Sequence, residues 1–197
     1  MSDASPYSEQ IVTTTGYVMG TAEYGFFIQD DQGAWNGIWV LDYGDAMVDV
    51  GDEVEVTGIV EEYYDLTEID ISDGGSSSIL STGNTLYNSS VMTNLGEEYE
   101  SVLVTVSGVC ESLPDDYGEW MLSDVWIDDL MYEFTPTLGQ DYTITGCLNY
   151  SFGNYKVEPR GPSDVLEGIL DISDTGLIHN FTSKSDFFWR LRDLIRF

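Results

Sequence analysis

The first 155 residues contain no lysine and no arginine, although they carry 29 of the 36 acidic residues. All six cations lie in the last quarter of the chain, and the formal net charge is −30. They are Lys156, Arg160, Lys184, Arg190, Arg192 and Arg196. This distribution excludes Lys or Arg salt bridges within residues 1–155 and disfavours direct neutralisation of phosphates. Nucleic acid is therefore expected as a partner only through bridging divalent ions.

Two further rare features, histidine and long apolar runs, limit the classes of function that the protein can have. The single histidine, His179, excludes multi-histidine metal sites and His pairs, and nothing in the chain approaches an apolar run of about 18 residues, so no transmembrane segment is predicted. Paired carboxylates are the remaining catalytic candidates. With so many acids, however, some pair will always look suitable, and the sequence singles out none. We therefore predict that the protein is not an enzyme.

The acidic body repels itself unless salt screens the charge or bound cations offset it. A saline or calcium-bearing medium fits this need, and the lack of Lys and Arg removes trypsin-type cleavage points from the first 155 residues. Both features predict an extracellular, secreted protein. The alternative is an acidic cytosolic protein of a salt-accumulating organism.

Short alternating runs bounded by Gly, Asp, Asn and Ser dominate the chain before residue 163, which predicts an all-β fold. Five strands are predicted in the first part of the chain: Gln10–Met19, Gly25–Gln29, Gly37–Leu41, Glu53–Val60 and Leu66–Ile71.

The two halves of the chain also repeat one another in four blocks, in the same order. The matched blocks are Val12–Val18 with Val104–Cys110, Tyr24–Gly25 with Tyr117–Gly118, Ile38–Val40 with Val125–Ile127, and Val50–Gly58 with Leu138–Gly146. Long strands with a central glycine, a hairpin and a Gly-Asp turn are typical of the five-stranded OB-fold. We predict two tandem OB-like barrels and a short C-terminal amphipathic helix; a two-sheet sandwich is the alternative. The predicted parts are 1–71, first barrel; 72–100, loop and linker; 101–165, second barrel; and 166–197, a C-terminal extension.

Several of these segments resemble the OB-fold modules of secreted bacterial nucleases, which precede an endonuclease/exonuclease/phosphatase-type domain. The resemblance covers roughly residues 10–165 and rests on Phe26–Asp31, Gly37–Val40, Val50–Gly58, Glu62–Thr67, Tyr99–Val104, Tyr117–Trp120 and Leu148–Arg160. It implies an extracellular binding module for nucleic acid or polysaccharide. The catalytic domain of those nucleases has no counterpart in this sequence.

Clustered carboxylates at predicted strand ends are candidate ligands for Ca²⁺, which prefers hard oxygen donors. The candidates are Asp30, Asp31, Asp70, Asp73, Asp124, Asp128 and Asp129. None of the clusters matches the EF-hand pattern, and each alone could be a solvated acidic surface.

Two aromatic residues, Trp35 and Tyr63, are the candidates for ligand stacking, because OB-folds stack bases or sugars on exposed rings. Trp39 and Trp126 are equivalent in the repeat and are expected in the cores. A disulfide between Cys110 and Cys147 is disfavoured because strand alternation points the two side chains to opposite faces, unless a bulge near Gly108 reverses the alternation.

The C-terminal segment is basic and apolar, unlike the rest of the chain. From Ser185 onward, apolar residues recur at helical spacing beside arginines. The predicted partner-binding residues are Phe187, Phe188, Trp189, Arg190, Leu191, Arg192 and Leu194. The leading hypothesis is a non-catalytic, cation-stabilised module in which this segment binds another copy of the chain. The alternatives are docking on its own barrel, binding to a membrane surface and, as a different function, binding of nucleic acid or polysaccharide.

Overall fold

The computed structural model describes residues 4–44, 46–172 and 178–181, with side chains described up to residue 169. The fold is all-β: 48% of residues lie in strands and no helix reaches seven residues. The predicted all-β class is therefore confirmed. Within the described ranges, no helix is long and apolar enough to cross a membrane. The predicted helix after Ser185 lies outside these ranges.

The first sheet has six strands, and five of them close into a barrel. The strands are β1 (Ile11–Ala22), β2 (Gly25–Gln29), β3 (Gly37–Leu41), β4 (Glu53–Tyr63), β5 (Leu66–Asp70) and β6 (Ser76–Ser81). The order is β1-β2-β3-β5-β4-β6, and the pairing of β1 with β4 closes the barrel. Strands β3 and β5 run parallel, and the other pairs are antiparallel. All five strands predicted in this part of the chain are present.

Sequence features explain how this barrel closes. Buried and less buried residues alternate along β4, as expected for a strand with one face in a core. Gly58 lies where the strands approach closely: a Cβ there would lie 2.4 Å from the carbonyl oxygen of Asp70. The barrel core is mainly aliphatic and consists of Val18, Phe26, Ile28, Val40, Val54, Val56, Val60 and Ile69.

The second sheet has seven strands and a similar order. They are β7 (Ser90–Val91), β8 (Leu103–Val109), β9 (Trp120–Leu122), β10 (Val125–Ile127), β11 (Asp141–Ser151), β12 (Asn154–Glu158) and β13 (Val165–Glu167). Strands β10 and β12 run parallel. At the gap between β8 and β9, the sheet has an isolated bridge, Cys110 with Leu122, instead of a ladder. A separate hairpin follows, formed by β14 (Ile169–Ile172) and β15 (Ile178–Phe181).

Residues 72–100, which we predicted as loop and linker, contain two strands. Strand β6 lies in this stretch and pairs with β4, and β7 pairs in parallel with β8. Ser76–Ser81 lacks the alternation of apolar and polar residues by which the other strands were predicted. It is an edge strand whose side chains are mostly exposed, so backbone pairing rather than core packing explains its place.

A third apolar cluster joins the two sheets. Met19, Phe27, Trp39 and Leu66 of the first sheet pack with Leu103 and Cys147 of the second. Both cysteines are free, because Cys147 faces this cluster while Cys110 faces the core of the second sheet. The argument from strand alternation is thus confirmed. Trp39 is buried between the sheets, whereas its repeat equivalent Trp126 is only half-buried.

Candidate functional site

Both cations of the described ranges are used in ion pairs with nearby acids. Lys156 is 1% exposed and contacts the carboxylates of Glu119 and, at 3.1 Å, Asp128. Burial opposes its charged form, but the hydrogen bond to Glu119 and the charge of Asp128 prevail and raise the pKa of Lys156. Arg160 donates from Nε and Nη2 to both oxygens of Asp164, at 2.7 and 2.9 Å. Both lysine and arginine side chains of the described ranges are thus paired with acids of the second sheet.

The predicted metal ligands are dispersed. Asp30 and Asp31 follow β2, Asp70 ends β5, Asp73 follows it, Asp124 lies between β9 and β10, and Asp128 and Asp129 follow β10. Three of the seven accept hydrogen bonds from nearby backbone: Asp31 from Gln32, Asp70 from Ser72 and Asp128 from Asp129. Within the described part of the chain, no group of three or more His, Cys, Asp or Glu side chains is placed to hold a metal.

Asp129 lines a surface cavity of about 380 Å³ together with three other acids, Asp115, Asp116 and Glu133. Burial raises the pKa of Asp129, and the charges of Asp128 and Glu133 raise it further. These groups repel one another, so the cavity would favour a cation over an anion.

A cavity of about 590 Å³ opens at one end of the first barrel. Its floor consists of aliphatic side chains of the barrel interior: Val12, Ile28, Ile38, Val60 and Ile69. Its rim is polar and includes Ser5, Thr13, Thr14, Thr15, Asp30, Asn36 and Thr67. An apolar floor with a few polar rim groups is the usual composition of a binding pocket.

The predicted ligand residue Trp35 lies on this rim and is 72% exposed. Its backbone has a φ of 65°, and its N–H donates to the carbonyl of Glu98 at 2.6 Å. The loop is wrapped around Asn36, whose amide donates to three loop carbonyls. The second candidate, Tyr63, is 61% exposed and packs against Tyr64 at 4.9 Å between ring centroids. Tyr63 does not line the cavity, so only Trp35 of the predicted pair belongs to it.

A carboxyl network supports one wall of the cavity. Thr67 donates its hydroxyl to Glu62 and its N–H to Glu100 at 3.0 Å, and Ser5 donates its N–H to Glu62 at 2.6 Å. Glu100 is 8% exposed, and its Oε2 has no hydrogen-bond partner in the described structure. Burial raises the pKa of Glu100 to about 8, so this carboxyl holds a proton at neutral pH. Sequence reasoning missed Glu100 because nothing in the sequence distinguishes it from the other acids.

The cavity combines aliphatic and hydroxyl side chains with one lining carboxylate, Asp30. This composition is typical of a binding pocket. The predicted partner-binding residues from Phe187 to Leu194 lie outside the described residues.

Comparison with known proteins does not place this chain in a family. No model of a known protein family matches the chain, and no curated protein matches it.

Proposed function

We propose that this chain is a non-catalytic, extracellular self-assembly module, in which the basic C-terminal segment of one copy binds the acidic body of the next. The observation that carries the proposal is the way in which the described lysine and arginine are paired with acids. Lys156 and Arg160 both form ion pairs within their own sheet, so the described residues hold no further lysine or arginine to offset their other acids.

The opposite charges of the two parts support this pairing. Residues 184–197 carry four cations and two anions, a net charge of +2, whereas residues 1–183 carry −32. Such complementarity steers encounter and fixes orientation. Because the two surfaces are unlike, their contact is head-to-tail and generates rings or open filaments instead of a closed dimer.

We further propose that the second sheet is a second OB-like barrel and that the chain is a tandem repeat. In support, β12 pairs with β10 and β11 as β5 pairs with β3 and β4. The isolated bridge between Cys110 and Leu122 lies where a closing ladder would lie.

Cations would stabilise the assembled and the free chain by offsetting the acidic charge, and we propose Ca²⁺ as one of them. The cavity around Asp129 supports this, because calcium can complete its coordination with backbone carbonyls and water around a small number of carboxylates.

Sedimentation velocity over a range of protein concentrations tests the proposed assembly. The full chain is expected to sediment faster as concentration rises, and a chain lacking residues 184–197 is expected to remain monomeric. A matched control with Arg190, Arg192 and Arg196 replaced by lysine keeps the charge and should still assemble. Monomers of the full chain at every concentration would contradict the proposal.

A second candidate function is binding of a neutral polysaccharide at the cavity of the first barrel. The exposed ring of Trp35 beside hydroxyl and amide groups favours it, because sugars stack on aromatic faces and meet no penalty from the acidic charge. Titration of tryptophan fluorescence with glycans tests this function. Binding should disappear in Trp35→Ala and persist in Tyr63→Ala; equal binding by both variants would contradict it.

A further inference from the structure

The first half of β1 has an open edge. Val60 of β4 donates its N–H to the carbonyl of Gln10 at 2.9 Å, and Val18 donates to the carbonyl of Asp52, just before β4, at 2.8 Å. Gln10, just before β1, and Val18 within it therefore direct backbone groups toward β4, and the even-numbered residues between them do the same. Because these groups alternate along a strand, the odd-numbered residues direct theirs to the opposite side.

That opposite side is covered by β2 only from Tyr17, which pairs with Gln29. Ile11, Thr13 and Thr15 precede this point, and in the described structure no strand pairs with β1 beside them. Their N–H and C=O groups form a short edge that can accept a further strand.

The large cavity lies along this edge. Val12 and Thr14 line it from β1, and Asp30, Trp35 and Asn36 line its rim. A strand added beside β1 would direct every second side chain into the aliphatic interior of the barrel and the others outward. The site therefore fits an extended peptide that alternates apolar and polar residues.

The C-terminal segment has such an alternation. In an extended conformation, Trp189 and Leu191 would lie on one face and Arg190 and Arg192 on the other. The same residues also fit helical spacing, but the open edge offers hydrogen bonds only to an extended chain.

We propose that the C-terminal segment of a second copy adds as a strand to the open edge of β1, with Trp189 and Leu191 in the cavity of the first barrel. This inference rests on the proposed self-assembly and names its acceptor site. The outward arginines would lie on the face that carries Glu55, which is exposed on β4 directly opposite Thr15.

We place the segment on a second copy, because the described chain leads toward the second sheet before the segment begins. Strand β14 contacts β8 and β11 of the second sheet, so the hairpin before the segment lies against that sheet. The open edge belongs to the first sheet. When the C-terminal segment of one copy binds the open edge of the next, the two copies are joined head-to-tail.

A proline at position 13 tests the site in the full chain. Thr13→Pro removes an N–H that points to the open edge and leaves the pairing of β1 with β4 intact, as edge strands tolerate. Thr13→Ala is the matched control, because both variants lose the hydroxyl contact with Thr57, 2.8 Å in the native protein. We expect the proline variant to self-associate about tenfold or more weakly than the alanine variant.

Amide hydrogen exchange in the native chain provides a second measurement that needs no folded variant. The amides of Thr13 and Thr15 should become protected only at concentrations where the chain assembles. Unchanged assembly of the proline variant, or exposed amides in the assembly, would overturn the strand site and leave the proposed self-assembly standing. Protection that is independent of concentration would mean docking within one chain and would also overturn it. A chain that never assembles would contradict both proposals.

Discussion

The two sheets handle their acidic residues differently. The second sheet uses the two described cations, and Lys156 lies buried between Glu119 and Asp128. The first sheet has no cation, and burial raises the pKa of Glu68 in β5 to about 7, with a further contribution from Asp70. The second sheet therefore pairs acids with both described cations, whereas both sheets contain a buried carboxyl whose pKa burial raises, Glu68 in the first and Glu158 in the second.

The cores of the two sheets also differ in composition. Trp120, Phe134 and Tyr142 pack against one another in the second core, with ring centroids 5.6–6.3 Å apart; Tyr142 meets both other rings edge to face. The first core is mainly aliphatic and opens into the large cavity. The second sheet thus has the more aromatic core and both described cations, and the first sheet retains the larger of the two described cavities for a partner.

The largest expected effect comes from removing the buried cation of the second sheet. Lys156→Met would leave Glu119 and Asp128 facing each other without compensation and should lower the free energy of unfolding by about 3–5 kcal/mol. Chemical denaturation measures this. Adding Glu119→Gln and Asp128→Asn should restore most of the loss. A Lys156→Met variant as stable as the native chain would break the comparison.

The next largest effect is the pH dependence contributed by the buried acid at the junction of the sheets. The folded pKa of Glu100 is raised above the unfolded value, so its stabilising contribution is complete below about pH 4.5 and is lost as pH rises through about 8. As pH rises from 5 to 8, the free energy of unfolding should fall less in Glu100→Gln than in the native chain. The difference between the two should reach about 3 kcal/mol. Glu98→Gln, which removes an exposed acid, is the control and should follow the native profile. Identical profiles for all three would contradict protonation of Glu100.

Equivalent positions of the repeat test the difference between the two interiors. Val104 is fully buried in the second core, whereas Val12 lines the cavity. Val104→Phe should therefore cost about 1–3 kcal/mol through overpacking, and Val12→Phe should cost less than about 0.5 kcal/mol. Thermal and denaturant unfolding compare the two variants. Equal losses would show that the first interior has no usable space.

The smallest effect concerns cations. If calcium binds the native acidic surface, it should raise the melting temperature more than sodium chloride of equal ionic strength. The gain at a calcium concentration equal to its Kd is only about 0.4 kcal/mol and grows with concentration. Equal shifts by the two salts would mean screening alone.

The sequence predicted what depends on local patterns. The bounds of β2 and β3 agree with the predicted Gly25–Gln29 and Gly37–Leu41, because alternation and turn residues define them. Strand β6 was missed because Ser76–Ser81 carries no such pattern. The open edge was missed because it depends on segments that are distant in the sequence. The length of β1 can be predicted from local residues, but the change of its pairing partner at Tyr17 cannot.

Mixing two variants that are each unable to assemble tests the head-to-tail contact most directly. One carries Thr13→Pro, which blocks the acceptor edge but retains the C-terminal segment. The other carries Trp189→Asp and Leu191→Asp, which spoil the segment but retain the edge. We predict that each variant alone is monomeric in sedimentation velocity and that an equimolar mixture forms a complex of two chains that grows no further. A mixture that stays monomeric while the native chain assembles would contradict the account.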